Sequence, residues 1–427
     1  MRILIISRTP WDDSNSFGNT FSNLFEGMED VEIFNICCQH GEMHNQVVKS
    51  AFQMTDKSVL RSIYRRKSKT GWLMTKKAED IENKLNQQVA AETVKKRRLL
   101  FFMMRDWIWM LGHWEKDEGL LSFLEEANPD VVYLPIYASP YMCDIQNFIV
   151  DKLGVSIVGH ISDDVYGCPP KANIFLRGYK AKIQKKLHKL IEKCSYLEVF
   201  AKNMQEEYSK LFNKSCYLIG KGIQFETVKG INVKAPIGKP MHFVYTGNIG
   251  DDRYKALVDI GYAISKGLGR ENAVLDIYST TPLTKEMQEA INGCKAIEFH
   301  GGISKQEVMQ VQKNADFLVH VEGFSQTAIF SAKMSFSTKI IDYMIMSKPI
   351  LAYGPQEVNS IQVLKESGVG LTAISSEELE TVITNIATNN VDYTLLTKNT
   401  KQYLLENRDI EKIQAGIYQR LGYLVGE

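Results

Sequence analysis

The sequence predicts an α/β protein with two Rossmann-like, doubly wound parallel-sheet domains facing across a cleft. Three observations predict this. The chain opens as strand, loop, helix, strand. The same alternation restarts after residue 240. Its 427 residues suffice for two domains of ordinary size.

Ile3 to Ile6 are continuously apolar, as in a strand buried on both faces. A polar loop follows and ends at Gly18-Asn19-Thr20. Phe21, Leu24, Phe25 and Met28 then recur at helical spacing, and Val31 to Ile36 reads as the next strand. That order implies a parallel sheet. In residues 61–106, thirteen Lys or Arg stand against five Asp or Glu, and Trp107, Trp109 and Trp114 follow closely. Most of this segment reads as helix. Asn128-Pro129-Asp130 is a turn into a strand at Val131, a further strand runs from Val155 to His160, and Val199 and Phe200 close a short one.

The stretch 220–240, rich in Gly and Lys, reads as the interdomain linker. Beyond it strands are expected at 242–246, 273–279, 296–300, 315–321, 349–353 and 369–374, with helices between them. Ser304-x-x-Glu307 and Ser375-x-x-Glu378 are capping boxes that fix two helix starts.

Composition removes some functions. Lys and Arg number 51 against 50 Asp and Glu, and a net charge of +1 argues against a dedicated nucleic-acid binder. The seven cysteines include no C-x-x-C and read as reduced, mostly buried thiols of a cytoplasmic protein. Met1 to Ser7 is too short an apolar run for a signal peptide, and no window approaches the ~20 apolar residues of a membrane span.

In open α/β sheets ligands sit beyond the carboxyl ends of the strands. Thr246-Gly247-Asn248-Ile249-Gly250-Asp251-Asp252-Arg253 follows such a strand. Glycines admit a ligand to the backbone, the following helix start attracts anions, and Arg253 adds a planar cation. This is either a diphosphate site or an ordinary turn with a surface Arg. Ser337-Thr338-Lys339 opens another helix, with Asp342 one turn on. It reads as a phosphate site with a ribose-binding carboxylate, or as a Lys339–Asp342 surface pair. Glu322-Gly323 ends the strand from Phe317, a position suited to sugar hydroxyls. His160 ends another strand, with Asp163 and Asp164 after it, and could meet a reacting sugar or be a core histidine.

Residues 242–354 resemble the donor domain of the retaining GT-B glycosyltransferases of the group 1, or family 4, type found in bacterial capsule and lipopolysaccharide biosynthesis. The likeness runs through Phe243-Val244-Tyr245-Thr246-Gly247-Asn248, Ile297-Glu298-Phe299-His300-Gly301-Gly302, Ala315-Asp316-Phe317-Leu318, Glu322-Gly323-Phe324 and Ser337-Thr338-Lys339-Ile340-Ile341-Asp342. The N-terminal half matches chiefly at Pro129-Asp130-Val131-Val132, Val158-Gly159-His160 and Leu218-Ile219-Gly220-Lys221-Gly222. The resemblance implies a GT-B fold: an acceptor-binding domain at 1–225, a donor-binding domain at 226–405, and a helix at 406–427 that packs back on the first.

It also implies a hexosyltransferase that uses a UDP- or GDP-sugar and requires no metal or other cofactor. Arg253 and Lys339 would neutralise the diphosphate, aided by Ser337 and Thr338, and Asp342 would hold the ribose. Glu322 and Gly323 would hold the donor sugar, the Gly247-Asn248 turn would lie at the diphosphate, and the backbone around His300, Gly301 and Gly302 would border the nucleobase. His160 would face the anomeric centre from the first domain, with Asp163 a further catalytic candidate and Gly18 and Asn19 near the diphosphate or acceptor. The acceptor would be a glycan, carried on a lipid as the resemblance implies.

The chain departs from the family pattern. Asn248 replaces its Arg, Asp342 its ribose Glu, and Ser347 the Gly of its Gly-x-Pro. The E-x7-E spacing is lost, because Met334 occupies the first position and residues 325–336 look inserted. A sugar-nucleotide 2-epimerase of the same fold, or a silent transferase-like binding subunit, are the alternatives. The basic, Trp-containing segment 61–114 reads either as a dock for anionic membrane, making the protein peripheral on the inner face of the plasma membrane, or as core helices with a solvated basic flank.

Overall fold

The structure, a computed structural model, describes residues 1–74 and 98–426. The basic run from Lys76 to Arg97 therefore lies outside the described residues. The first sheet holds β1 (Arg2–Ser7), β2 (Glu32–Cys37), β3 (Val48–Met54), β4 (Gly71–Leu73), β5 (Val131–Pro135), β6 (Ser156–Ile161), β7 (Tyr196–Val199) and β8 (Cys216–Leu218). Their spatial order is β4-β3-β2-β1-β5-β6-β7-β8, and only the β3–β4 pair is antiparallel. The second sheet holds β9 (Met241–Thr246), β10 (Ala273–Tyr278), β11 (Ile297–Gly301), β12 (Phe317–Val321), β13 (Ile350–Tyr353) and β14 (Leu371–Ala373). Its order is β11-β10-β9-β12-β13-β14, and it is parallel throughout.

The apolar run of β1 has a simple cause. Ile3 and Ile5 pack on one face with Trp11, Phe21 and Val131, while Leu4 and Ile6 pack on the other with Phe34 and Leu134. A strand covered on both faces needs no polar side. The strand order reverses between β1 and β5 and again between β9 and β12. Those two points are where a crevice opens at the strands' carboxyl ends.

Several expectations need correction. β3, β4 and β8 carry no clear periodicity, and the sequence reading does not include them. In β3 the buried Gln53 breaks the pattern; its amide donates to the carbonyls of Gln39 and Gly41. The first helix begins at Ser16, not after Thr20, because the Asn15 side chain caps it by accepting from the Gly18 N–H at 2.8 Å. Ser304 and Glu307 form a reciprocal capping box, whereas Glu378 turns aside to Ile374 N–H and Lys365.

The stretch 220–240 is not a free linker. Ile223 pairs with the chain at Arg408 and Ile410, residues 225–229 form a short helix, and Ile223, Val228, Ile231 and Val233 are buried in the core of the second half. Their spacing is irregular, so no periodicity announced it. All seven cysteines are free, and all but Cys168 are buried. No helix of the described residues is long and apolar enough to cross a membrane.

The helix Ile410–Val425 returns to the first sheet. Ile417 and Leu421 are fully buried there beside Ile3, Ile5 and Val131. Leu421→Ala should therefore destabilise the protein by about 2–5 kcal/mol, as at other tightly packed core leucines. Urea unfolding measures this. A loss below about 1 kcal/mol would show that the helix is a loose appendage.

Candidate active site

Each half contributes a strand edge to the site. On the second, Thr246 ends β9, and Asp251 and Asp252 take left-handed backbone angles (φ 52° and 60°) that turn the chain into the helix Arg253–Gly267. Arg253 is thereby delivered to Glu322, the residue after β12. Its Nε and Nη2 lie 2.9 and 2.8 Å from one carboxylate oxygen. Gly323 is required beside it, because a Cβ there would fall 2.1 Å from the Asp251 carbonyl oxygen. Burial raises the pKa of Glu322, and the Arg253 charge pulls it back down.

Lys339 begins the helix Lys339–Ile345, and its Nζ donates to the Thr246 carbonyl at 3.1 Å. Burial lowers its pKa, and the nearby Arg253 lowers it further. Two cations thus share one buried carboxylate, so positive charge exceeds negative among the buried groups, while the exposed Asp163 and Asp251 line the same cavity and Asp251 lies 3.9 Å from Arg253. His320 adds no positive charge, because burial drops its pKa to about 3 and its Nε2 lies 3.0 Å from Ser360 Oγ.

The expected alternative of a Lys339–Asp342 surface pair is not present among the described residues. Asp342 instead accepts from Lys221 at 2.5 Å, an ion pair that joins the two halves. Asn248 shapes its turn; its side-chain oxygen accepts from the Gly250 N–H at 2.6 Å and from Thr281 Oγ1 at 3.1 Å. Ser347 has φ 57°, the left-handed geometry that glycine favours, and its Oγ accepts from the Asn232 N–H.

Three adjoining cavities fill the cleft. One of about 330 Å³ is lined by Asp163, Asn248, Arg253, Glu322, Ser337 and Lys339. One of about 590 Å³ is lined by Asn19, Lys221, Gly247, Tyr278, Gly302, Thr338, Lys339 and Asp342. The third, of about 820 Å³, is lined by Arg8, Tyr137, His160, Asp163, Ser337, Thr338 and Lys339. Lys339 borders all three. Asp163 accepts from Ser335 Oγ at 2.9 Å, again across the halves.

The structure therefore brings together His160, Asp163, Glu322, Asn19, Gly247, Asn248, Arg253, Ser337, Thr338, Lys339 and Asp342. Four expected residues do not line these cavities. Gly18 packs inside the first helix, where a Cβ would lie 2.1 Å from the Asp12 carbonyl oxygen. Gly323 meets Asp251, as above. Gly301 precedes the lining residues Gly302 and Ile303. The His300 ring turns away, stacks on Tyr278 at 4.6 Å and bonds Asp276 at 2.7 Å. Asp276, Glu298 and His300 are spaced to share a cation, with ligand atoms within 4.8 Å of one another, but none lines the cleft cavities.

Sequence reasoning missed Arg8, Lys221, Tyr278 and His320. Arg8 follows β1 directly, so the strand-end rule that picked His160 could have found it.

Arg253→Ala would remove the hydrogen-bonded partner of the buried Glu322 and leave only the more distant Lys339 charge, a loss of up to about 3 kcal/mol, the low end for a broken buried pair. Adding Glu322→Gln should restore much of that stability without restoring affinity for nucleoside diphosphates. Thermal unfolding and calorimetric titration check this. Equal stability of the single and double variants would refute the charge pairing.

No family model matches the sequence, and no curated protein does. Solved structures do match over the full chain. HepE of Anabaena in complex with UDP shares 11% identity at a TM-score of 0.61, covering 99% of this chain and 100% of that one. The lipopolysaccharide outer core galactosyltransferase WaaB, in its apo form, shares 14% at 0.60, covering 98% and 100%. Sucrose-phosphate synthase from Thermosynechococcus elongatus shares 10% at 0.61, covering 100% of both chains. At such identities the likeness is one of fold. Two α/β units, each built on a largely parallel sheet, border a polar cleft, and the chain has the GT-B fold.

Proposed function

We propose that the chain is a glycosyltransferase that moves a sugar from a UDP- or GDP-sugar to a glycan acceptor, with retention and without a metal. The observation that carries this is the partly buried Arg253–Lys339 pair at the reversal between β9 and β12, with one carboxylate between them. Two fixed cations side by side can meet an anion with more than one charge. The solved HepE structures hold UDP and UDP-glucose. We assign acceptor binding to residues 1–225, donor binding to 226–405 and an interdomain brace to 406–427.

In this reading the donor diphosphate lies against Arg253, Lys339, Ser337 and Thr338, and Asp342 takes the ribose hydroxyls. Charge developing on the leaving diphosphate is stabilised by the two cations, a contribution on the order of 3 kcal/mol per well-placed group. The sugar passes through an oxocarbenium-like state. His160 and Asp163 border it from the first half, Glu322 from the second, and the acceptor hydroxyl attacks on the face the diphosphate leaves.

In a thermal-shift panel of nucleotide sugars with EDTA present, one nucleotide class should stabilise the protein. At 100 times the dissociation constant the gain is roughly 2.7 kcal/mol. No shift with any of them would favour a silent binding subunit. A shift accompanied by sugar inversion at C2, without transfer, would favour an epimerase.

We further propose that the acceptor is lipid-linked, in surface-polysaccharide assembly, and that the protein docks on the inner face of the plasma membrane. Trp109 and Trp114 are buried, so the core-helix alternative holds for part of the segment. On the same helix, Arg98–Leu111, the residues Leu100, Met103, Met104, Trp107, Met110 and Leu111 form an exposed stripe at helical spacing. Trp107 is 57% and Met110 61% exposed. Arg61, Arg65, Arg66 and Lys67, also exposed, follow on the neighbouring helix and its end. This pairing of apolar and basic groups fits anionic lipid. The protein should co-sediment with phosphatidylglycerol vesicles, and Met104→Glu with Trp107→Glu should abolish it. Equal sedimentation of wild type and variant refutes the dock.

A further inference from the structure

A chain of buried polar groups runs behind His160. Arg420, on the helix Ile410–Val425, places Nη2 2.6 Å and Nε 3.2 Å from Glu198 Oε1. The other carboxylate oxygen, Oε2, lies 2.5 Å from the Tyr133 hydroxyl, and that hydroxyl lies 3.0 Å from His160 Nδ1. Glu198 and Tyr133 are wholly buried, in β7 and β5. No solvent is needed to complete the chain.

The proton count along it has one solution. Arg420 only donates, and an ionised carboxylate only accepts. Burial raises the pKa of Glu198, and Arg420 and the Tyr133 hydroxyl pull it back down; with one oxygen accepting from Arg420 and the other from Tyr133, the carboxylate is ionised. Tyr133 has a single hydroxyl proton, and the carboxylate takes it. Only a lone pair then faces His160, so Nδ1 must carry a hydrogen. A neutral imidazole has just one, so Nε2 is bare. Burial drops the His160 pKa to about 3, which keeps the ring neutral. The rings of Phe21 and Phe200 meet it edge-on at 4.8 and 5.1 Å and hold its orientation. Nε2 has no hydrogen-bond partner among the described residues, and the ring lines the cavity of about 820 Å³.

We infer that Arg420, Glu198 and Tyr133 are positioning residues that fix His160 in its Nδ1–H tautomer, so that Nε2 presents a lone pair to the cleft as the acceptor for a sugar hydroxyl. The inference rests on the transferase reading only for the identity of that hydroxyl. The tautomer itself is a property of the free protein. A bare Nε2 selects ligands that offer an O–H at this point, and it opposes a carbonyl or carboxylate there.

Glu198→Gln is the informative variant. Its amide donates to the Tyr133 oxygen, which turns the Tyr133 O–H towards His160 Nδ1 and moves the imidazole hydrogen to Nε2. Nitrogen-15 NMR of the full chain, with histidines labelled and His160 assigned by loss of its signals in His160→Gln, reads this directly. Wild type should show a protonated Nδ1 and a bare Nε2, and Glu198→Gln the reverse. Tyr133→Phe, which removes the coupling oxygen, should show a mixture, and it serves if Glu198→Gln does not fold. A wild type with hydrogen on Nε2, or a tautomer unchanged in both variants, overturns the inference.

With a working nucleotide sugar, kcat/KM should fall about 10- to 100-fold in Glu198→Gln, the range seen when the group that orients a metal-bound histidine is removed. Nucleoside diphosphate affinity should stay as in wild type. Tautomers as expected in a protein that transfers no sugar would sink the transferase reading and leave the relay standing.

Discussion

A strand–helix–strand crossover between parallel strands leaves from the carboxyl end of one strand and returns to the start of the next, so the loops of a doubly wound sheet gather at one end of its strands; here only the short β4, antiparallel to β3, departs from this. In this chain that constraint acts twice. β1 and β5 part company in the first sheet and β9 and β12 in the second, so loops on either side of each parting turn to opposite faces. The residues that border the cleft are largely those that follow these strands. Arg8 leaves β1, His160 ends near the close of β6, Gly247 leaves β9 and Glu322 leaves β12. The chemistry of the cleft is thus a consequence of strand direction before it is a consequence of any single side chain.

Charge then gives the cleft its preference. Glu322 cannot neutralise both Arg253 and Lys339, and neither cation is free to swing into water. Arg253 is held by a hydrogen bond from Nε and an ion-pair contact from Nη2, both to Glu322, and Lys339 is tied to the Thr246 carbonyl. Burial already weakens the hold of Lys339 on its proton. An arriving anion would strengthen it again, so the protein stores unfavourable electrostatics that a ligand relieves. The ion pair of Lys221 with Asp342 and the bond of Ser335 to Asp163 cross the same gap, which ties the charge site to the relative placement of the two halves.

Much of this was legible in the sequence, for identifiable reasons. β1, β5, β9 and β12 are buried on both faces and read as apolar runs, so the two-sheet plan and its strand ends could be located. His160, Glu322 and Arg253 stood out because each lies at or beyond the carboxyl end of a strand. β3 was illegible because its buried Gln53 is satisfied by carbonyls distant in sequence. Gly18 was assigned to a ligand when its lack of a side chain serves the Asp12 backbone. The partner of Asp342 was misjudged because local spacing offered Lys339, while the actual partner lies 121 positions away. The network behind His160 links positions 65 and 222 residues apart, and no local pattern could report it.

The returning C-terminal helix has a consequence for how the protein is made. Glu198 is synthesised long before the arginine that balances it, and at ribosomal speeds of about 5–20 residues per second the delay is roughly 10–45 seconds. Through that interval the β5–β7 region holds an unmatched buried acid, and the apolar patch around Ile3 and Val131 lacks the cover of Ile417 and Leu421. The first half cannot finish folding as it leaves the ribosome. It must wait, open on one side, for nearly the last turn of the described chain, and the nascent protein is exposed to holding chaperones and proteases for all of that time.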